Sequence, residues 1–347
     1  MYDQSKLSEL WPRPNGALQR HVAPSRENGL ARLIEDSGFR DEVLRGFSGH
    51  QRSVPSRWLY DDRGSELFEE ITRLEEYYPT RTEAGILREA AKPIGAFVWP
   101  RPVVVEYGAG AAVKTALLLA ALDRPAEYLA VDVAGVLMSS SVARLASQFP
   151  GLKVGLRVAD FTRDFDLPDG LGAAPRLGFF LGSTFGNLSE DEAVALLRRM
   201  RRQLGEGGRA IIGIDLRKGL DRLLPAYDDG DGVTAAFNLN LLERMNRELG
   251  ANFQPDAFRH EARWNPDEFA VEMHIVGLCP QIVTIAGFDF DFGIGDSIHT
   301  ESSRKYDAQS FTRLAELGGW EVAELWTDAE RLFAVFGLVA AEPAQGS

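Results

Sequence analysis

Hydrophobic positions change their period twice along this chain. Between Asn28 and Gly46, the residues Leu30, Leu33, Ile34, Phe39, Val43 and Leu44 recur at roughly helical spacing, and Gly46 and Gly49 supply a stop. Further helical stretches run from Ser65 to Leu74 and, after Pro79, from Thr80 to Ala91. The first third of the chain therefore reads as helical, with no strand signal. The polar lead-in up to about residue 26, with Pro12, Pro14 and Pro24, reads as loosely ordered chain rather than core.

From Val103 the pattern becomes strand, glycine turn, helix, strand. Val103-Val104-Val105-Glu106-Tyr107 ends in Gly108-Ala109-Gly110, a helix is expected from Lys114 to Leu122, and Tyr128-Leu129-Ala130-Val131 closes on Asp132. That is the βαβ unit of a doubly wound α/β sheet. The alternation continues through a helix at 137–148, strands near 154–158 and 177–181, a helix at 190–204 opened by the capping box Ser189/Glu192, and a strand at 210–215.

Beyond Asp215 the regularity stops. A stretch containing AYDDGDGVTAAFNLNLLERMNRELG reads as loop-rich, and strand-like pieces follow at 269–276, 281–288 and in FDFDFGIGDS. Only after Tyr306 does the alternation return, with a helix at 308–317 and strands at 320–326 and 332–338. The prediction is a Rossmann-like domain over 84–217, completed by 307–347. Residues 1–83 and the insert 218–306 then form a second, discontinuous α+β domain.

A chain of 347 residues is long enough for two lobes, and 45% hydrophobic with 26% charged residues is globular composition. The 51 acidic against 38 basic residues give a net charge of -13, which argues against a nucleic-acid partner or an anionic membrane surface. Cys279 stands alone, so neither an internal disulfide nor a cysteine-based zinc site is expected, and a reducing cytoplasm fits best. No signal-peptide pattern and no apolar run of membrane-spanning length is present, and the five histidines show no metal-ligand spacing. A monomer is the expectation.

The glycine turn carries the first chemistry. Gly108 and Gly110 allow a ligand to approach the backbone, and Asp132, at the end of the second strand, is placed to accept from ribose hydroxyls. Val113 stands where a dinucleotide fingerprint needs its third glycine, which disfavours a pyrophosphate loop. An acid ahead of the glycines, Glu106-Tyr107-Gly108-Ala109-Gly110, is instead typical of S-adenosylmethionine enzymes. Asp160-Phe161 supplies an acid and an aromatic ring for adenine. Leu181-Gly182-Ser183-Thr184-Phe185-Gly186-Asn187-Leu188 is a polar turn at a strand's carboxyl end, where open α/β sheets bind ligands, and Gly182 and Ser183 are candidates to hold the cofactor there.

These blocks are familiar together. SRWLYDDRGSELFEEIT, EYYPTRTEAGIL, VEYGAG followed by Lys114, FLGSTFGNL, AYDDGDGVTAAFN, the EMH of residues 272–274 and TESSRKY resemble, in the same order over about residues 55–340, the histidine Nα-methyltransferases of ergothioneine biosynthesis. The resemblance implies a class I methyltransferase fold with a substrate-binding second domain. It also implies S-adenosyl-L-methionine as cofactor and three methyl transfers to the α-amino group of L-histidine, giving hercynine. Gly108, Lys114, Asp132 and Asp160-Phe161 match the family's cofactor contacts. Tyr77, Asn187, Tyr227, Met273, Glu301 and Ser303 match its histidine-binding positions.

In that family the glutamate and serine hold the imidazole, the asparagine and one tyrosine receive the carboxylate, and the other tyrosine faces the amine. Neutral imidazole offers one donor and one acceptor, which an acid and a hydroxyl can pair, and Glu301 and Ser303, two apart on an extended segment, point the same way. The bland alternative for Glu301 is a solvated acid beside Arg304 and Lys305. Tyr77 is the candidate to orient the amine, with Tyr60 as a second catalytic candidate or a core residue. Phe68 and Phe237 are aromatic neighbours whose simpler role is packing. Two departures from the family pattern are Phe185 in the GST-x-GN turn and the absence of a second acid in Val133-Ala134-Gly135. They keep open a methyltransferase for a related amino acid; the rival from another class is a non-catalytic sensor of S-adenosylmethionine or an amino acid.

Overall fold

Val103–Tyr107 is buried at every position, as a strand covered on both faces must be, and it lies in the interior of a seven-stranded sheet. The computed structural model of the chain describes residues 38–109, 113–133 and 135–342. Of the unit formed by residues 1–41 the described part, 38–41, is helical, and residues 42–347 cluster as a second unit.

Strands are numbered in chain order from β1 (Arg52–Ser53) and β2 (Val103–Tyr107) through β3 (Glu127–Asp132), β4 (Lys153–Val158), β5 (Arg176–Phe180) and β6 (Arg209–Asp215). With β12 (Trp320–Thr327) and β13 (Phe333–Ala340), the large sheet has the order β12-β13-β6-β5-β2-β3-β4. Every neighbouring pair is parallel except those made by β13, which runs antiparallel to both β6 and β12. The strand order reverses between β2 and β5, so the carboxyl ends of these two strands flank the crevice where doubly wound sheets bind ligands. This is the α/β doubly wound, Rossmann-like class I methyltransferase architecture. One core cluster lies on each face, one around Phe180, Phe185, Leu196 and Phe311, the other around Leu87, Ile94, Leu118 and Phe179.

The second sheet has the order β1-β11-β8-β7, from β7 (Phe258–Asn265), β8 (Ala270–Gly277) and β11 (Ser297–Arg304). Contrary to the all-helical reading of the first third, β1 pairs in parallel with β11, its two residues set opposite Ile298 and His299. So short a strand leaves no alternation to read.

The stretch read as loop-rich after Tyr227 contains the 17-residue helix Val233–Leu249, ended by Gly250 in the left-handed conformation. Its amphipathic period is masked because Thr234, Asn238 and Asn240 are buried polar residues. Asn238 is buried, donating to the His274 carbonyl at 3.1 Å and accepting from Thr300 at 2.6 Å, and Asn240 donates to Asp61 at 2.7 Å. The strand-like pieces expected over 281–288 and in FDFDFGIGDS are the two arms of a hairpin, β9 (Gln281–Ile285) and β10 (Phe288–Phe292), the first ending three residues earlier than expected. Ala286 and Gly287 both take positive φ, 50° and 86°, as a two-residue hairpin turn of the primed type requires. Among the described residues no helix is long and apolar enough to cross a membrane, and no group of histidine, cysteine and acidic side chains is arranged to hold a metal.

Candidate active site

The cofactor candidates collect at the carboxyl ends of β2 to β5. Gly108 leaves β2 with φ 72°, and a Cβ there would stand 3.2 Å from Phe161 Cε1, so Phe161 closes directly over the turn. Asp132 ends β3 half-buried. Asp160 spends one carboxylate oxygen on its own turn, accepting from the Thr162 amide at 2.9 Å and hydroxyl at 2.5 Å, while the other lies 3.4 Å from Arg163. Gly182 and Ser183 follow β5 with φ 92° and 62°. Gly110 lies outside the described residues.

Glu106, the acid ahead of the glycines, is turned inward. It accepts from Thr115 at 2.7 Å and Tyr128 at 2.6 Å, tying the helix Val113–Ala121 to the sheet. Burial pushes its carboxyl up to about 8, against those hydrogen bonds. Glu83 was not visible in the sequence as a site residue. It is fully buried, sits 2.5 Å from Lys114 Nζ, and accepts from the Gly182 amide at 3.0 Å. Gly213 on β6 is what admits it, since a Cβ at 213 would fall 1.8 Å from Glu83 Oε1.

The substrate candidates meet on the second sheet and the helix starts facing it. Met273 on β8 lies directly opposite Glu301 on β11, just past a bulge between His299 and Glu301. Thr300, within that bulge, directs its one hydroxyl hydrogen between Asn238 Oδ1 at 2.6 Å and the Met273 carbonyl at 3.0 Å, tying the two strands together. Ser303 Oγ lies 2.7 Å from Tyr227 Oη. The turn Thr184–Asn187 is pressed on the same strand, because a Cβ on Gly186 would stand 2.7 Å from the Arg304 carbonyl and 3.5 Å from Ser303 Oγ. Gly186 thus brings the Asn187 turn of the large sheet against the Ser303 strand.

Around this lies an aromatic wall. Tyr60 packs edge-on against Phe68 and Phe237, each at 5.4 Å, Phe68 touches Tyr77 at 6.0 Å, and Tyr77 meets Tyr227 at 6.4 Å. The Tyr227 backbone is anchored by His260, whose Nε2 lies 2.7 Å from the Tyr227 carbonyl.

Glu301 is 8% exposed, and its Oε2 is buried with no hydrogen-bond partner. Burial raises its carboxyl to about 7 against the pull of Lys305. The picture of a solvated acid beside charged neighbours therefore does not hold: Lys305 is itself 1% exposed. Burial, and secondarily Glu301, lifts the Tyr60 phenol well above its ordinary value. Burial likewise lifts Tyr77 and Tyr227, with Glu301 a smaller contributor to each. All three are hydroxyl donors at neutral pH, not bases.

Beneath them is a buried ionic cluster that the sequence reading did not single out. Asp215, at the end of β6, accepts from Tyr78 at 2.8 Å, Lys218 at 2.5 Å and Lys305 at 2.8 Å. Burial opposes its charge, but the two lysines hold the carboxyl below its usual range. The legible signal was position, an acid closing a parallel strand at the ligand-binding edge. Phe185, the departure in the GST-x-GN turn, packs in the core against Phe180, Tyr306 and Phe311.

The chain is 39% identical over 315 residues to the histidine N-alpha-methyltransferase of Mycolicibacterium smegmatis, covering 88% of this chain and 95% of that protein. It is 37% identical to the corresponding protein of Mycobacterium tuberculosis, over 85% and 94% of the two chains. Ergothioneine biosynthesis protein 1 of Neurospora crassa is 28% identical over 89% of this chain and 36% of its own length. The sequence model of the histidine-specific, S-adenosylmethionine-dependent methyltransferases matches residues 39–340. With a doubly wound sheet carrying its glycine turn and a buried acid facing three tyrosines, the chain belongs to that methyltransferase family.

Proposed function

We propose that this enzyme trimethylates the α-amino group of L-histidine to hercynine, the first step of ergothioneine biosynthesis. The observation that carries the reading is Glu301, an acid buried with an unpartnered oxygen among three phenols and opposite Met273. A buried polar atom left without a partner is costly unless a ligand completes it, and an imidazole N–H is the complement of that oxygen.

The carboxyl-end turns suit S-adenosylmethionine. Gly108 bares the backbone beside Phe161, whose ring offers a stacking face, and Asp132 takes the ribose hydroxyls. Lys114 and the Gly182-Ser183 turn border the same crevice. When bound, S-adenosylmethionine supplies an electrophilic methyl group that a neutral amine takes up in line.

The protein's contribution is orientation and exclusion of water. Asn187 and Tyr227 receive the substrate carboxylate, Glu301 and Ser303 the ring, and Met273 the ring's apolar side. Tyr77, whose phenol stays protonated, orients the amine by accepting an N–H through its oxygen. Tyr60 belongs to the wall, and with Phe68 and Phe237 it gives aromatic faces to the cation that grows with each transfer.

On the same reading, residues 1–83 and 218–306 form the substrate-binding part and 84–217 with 307–347 the methyltransferase part; residues 1–37 and 343–347 lie outside the described residues. The enzyme works as a cytoplasmic monomer on a small molecule, not on nucleic acid or a membrane. The test is incubation of the purified protein with S-adenosylmethionine and the twenty amino acids, read by mass spectrometry. Trimethylated histidine is expected as the main product; methylation of a different amino acid, or of none, overturns the reading.

A further inference from the structure

Lys305 Nζ carries three hydrogens and has three acceptors: Tyr227 Oη at 2.7 Å, Ser303 Oγ at 2.8 Å and Asp215 Oδ2 at 2.8 Å. Tyr227 Oη and Ser303 Oγ are 2.7 Å apart, so the ammonium and the two hydroxyls close a triangle. One hydroxyl hydrogen must lie inside that triangle. Without substrate the pair therefore presents a single O–H outward; when ring and carboxylate bind, each hydroxyl can turn its hydrogen to the ligand while the ammonium continues to donate to both oxygens and so fixes their direction. Asp215 in turn is held by Tyr78 and Lys218, which ties the triangle to the end of β6.

We propose that Lys305 is a positioning residue for the amino-acid substrate: anchored by Asp215, it holds Tyr227 and Ser303 as one unit and sets the charge that Glu301 meets. The proposal rests on the reading of Tyr227, Ser303 and Glu301 as substrate contacts. A neutral, flexible side chain at 305 would leave the two hydroxyls free to rotate and Asp215 without its deepest partner.

The electrostatic side follows from what faces Glu301. The Tyr60, Tyr77 and Tyr227 phenols surround it, His299 meets its backbone, and Lys305 is the cation that acts on it among the described residues. The phenols are neutral near pH 7, so removing the ammonium leaves the Glu301 carboxylate less stabilised. The carboxyl then holds its proton to higher pH, and recognition of an imidazole N–H by the anion fails earlier on the acid side.

The experiment is calorimetric titration of Lys305→Met with histidine in the presence of S-adenosylhomocysteine, and separately with S-adenosylhomocysteine, across a pH series. Histidine affinity should fall by about tenfold or more, in line with the worth of hydrogen bonds to a charged group. S-adenosylhomocysteine affinity should stay near wild type, and the acid limb of histidine binding should move to higher pH. Lys305→Gln, which keeps two N–H donors without the charge, should show the same limb shift and is the variant to use if Lys305→Met does not fold.

An unmoved limb means that Lys305 only supports the fold, and unchanged histidine affinity means that it positions nothing; either overturns the proposal. Ser303→Ala separates this from the assignment beneath it. Wild-type histidine affinity there removes Ser303 from the site and the proposal with it, whereas a loss there with none in Lys305→Met overturns the role of Lys305 alone.

Discussion

Glu83 and Lys114 form an ion pair at 2.5 Å across the boundary between the helix Tyr78–Glu89 and the helix that follows the glycine turn. The same carboxylate accepts the Gly182 amide, so one buried acid ties together two of the turns that border the cofactor crevice.

Replacing Glu83 by alanine removes the partner of a lysine that is only a fifth exposed and leaves the Gly182 amide unpaired. A loss on the order of 3 kcal/mol of stability is expected, the range for breaking a buried pair from one side. S-adenosylmethionine affinity should fall with it. Urea denaturation and cofactor calorimetry on Glu83→Ala check both, and unchanged values in each would mean that the turns are held by something else.

Glu301 predicts an inverse relation between stability and substrate binding. Its carboxyl lies at about 7 in the folded chain, above the ordinary 4.5, so between these values the folded state binds more protons than the unfolded state. Stability from this group is therefore fully present below about pH 4.5 and is lost as pH rises through about 7, an effect on the order of 3 kcal/mol. Glu301→Gln should be more stable than wild type at pH 8 in thermal melts, lose that advantage at pH 4.5, and bind histidine poorly at both. A variant less stable than wild type at pH 8 would show that the buried carboxylate is not a destabilising charge.

For Tyr77→Phe the expected loss is in turnover. The ring keeps its edge contacts with Phe68 and Tyr227 while the oxygen proposed to orient the amine is removed, so kcat should fall about tenfold or more with cofactor affinity unchanged. Steady-state kinetics beside cofactor calorimetry decide it; equal losses in both would assign Tyr77 to the fold.

The Met273–Glu301 pair makes a specificity prediction. The two residues are direct cross-strand neighbours, so exchanging Glu301 for alanine and Met273 for a smaller apolar residue enlarges one continuous space and removes its acid. A site built on polar groups rejects ligands that leave them unpaired, and without Glu301 that discrimination disappears. Histidine, phenylalanine and tryptophan offered together should give mainly trimethylated histidine with wild type, and a shift towards the aromatic substrates with the double variant. Retained histidine preference in the double variant would place the imidazole elsewhere.

Much of this protein was legible from residue order alone. The doubly wound sheet announces itself because its parallel strands are buried on both faces, so β2 and β6 read as continuous apolar runs broken by glycine turns. Ser189 and Glu192 mark a helix start through purely local hydrogen bonds. The site candidates were reached through long blocks of resemblance, and among the described ones the structure gathers Tyr77, Tyr227, Met273, Glu301 and Ser303 around one aromatic wall.

What tertiary structure decided are the places where a polar residue is satisfied from far along the chain. The helix Val233–Leu249 was missed because Asn238 and Asn240 look like surface residues until Thr300, the His274 carbonyl and Asp61 arrive from elsewhere to pair them. Lys305 and Asp215 are 90 positions apart and look solvated in sequence, yet both are buried because each neutralises the other. Glu83 resembles any exposed helix acid, and only Gly213, on a strand far along the chain, makes room for it. Local periodicity records which face of an element is apolar. It cannot record which buried charge will find its partner, because that free energy exists only once distant segments have closed around the pair.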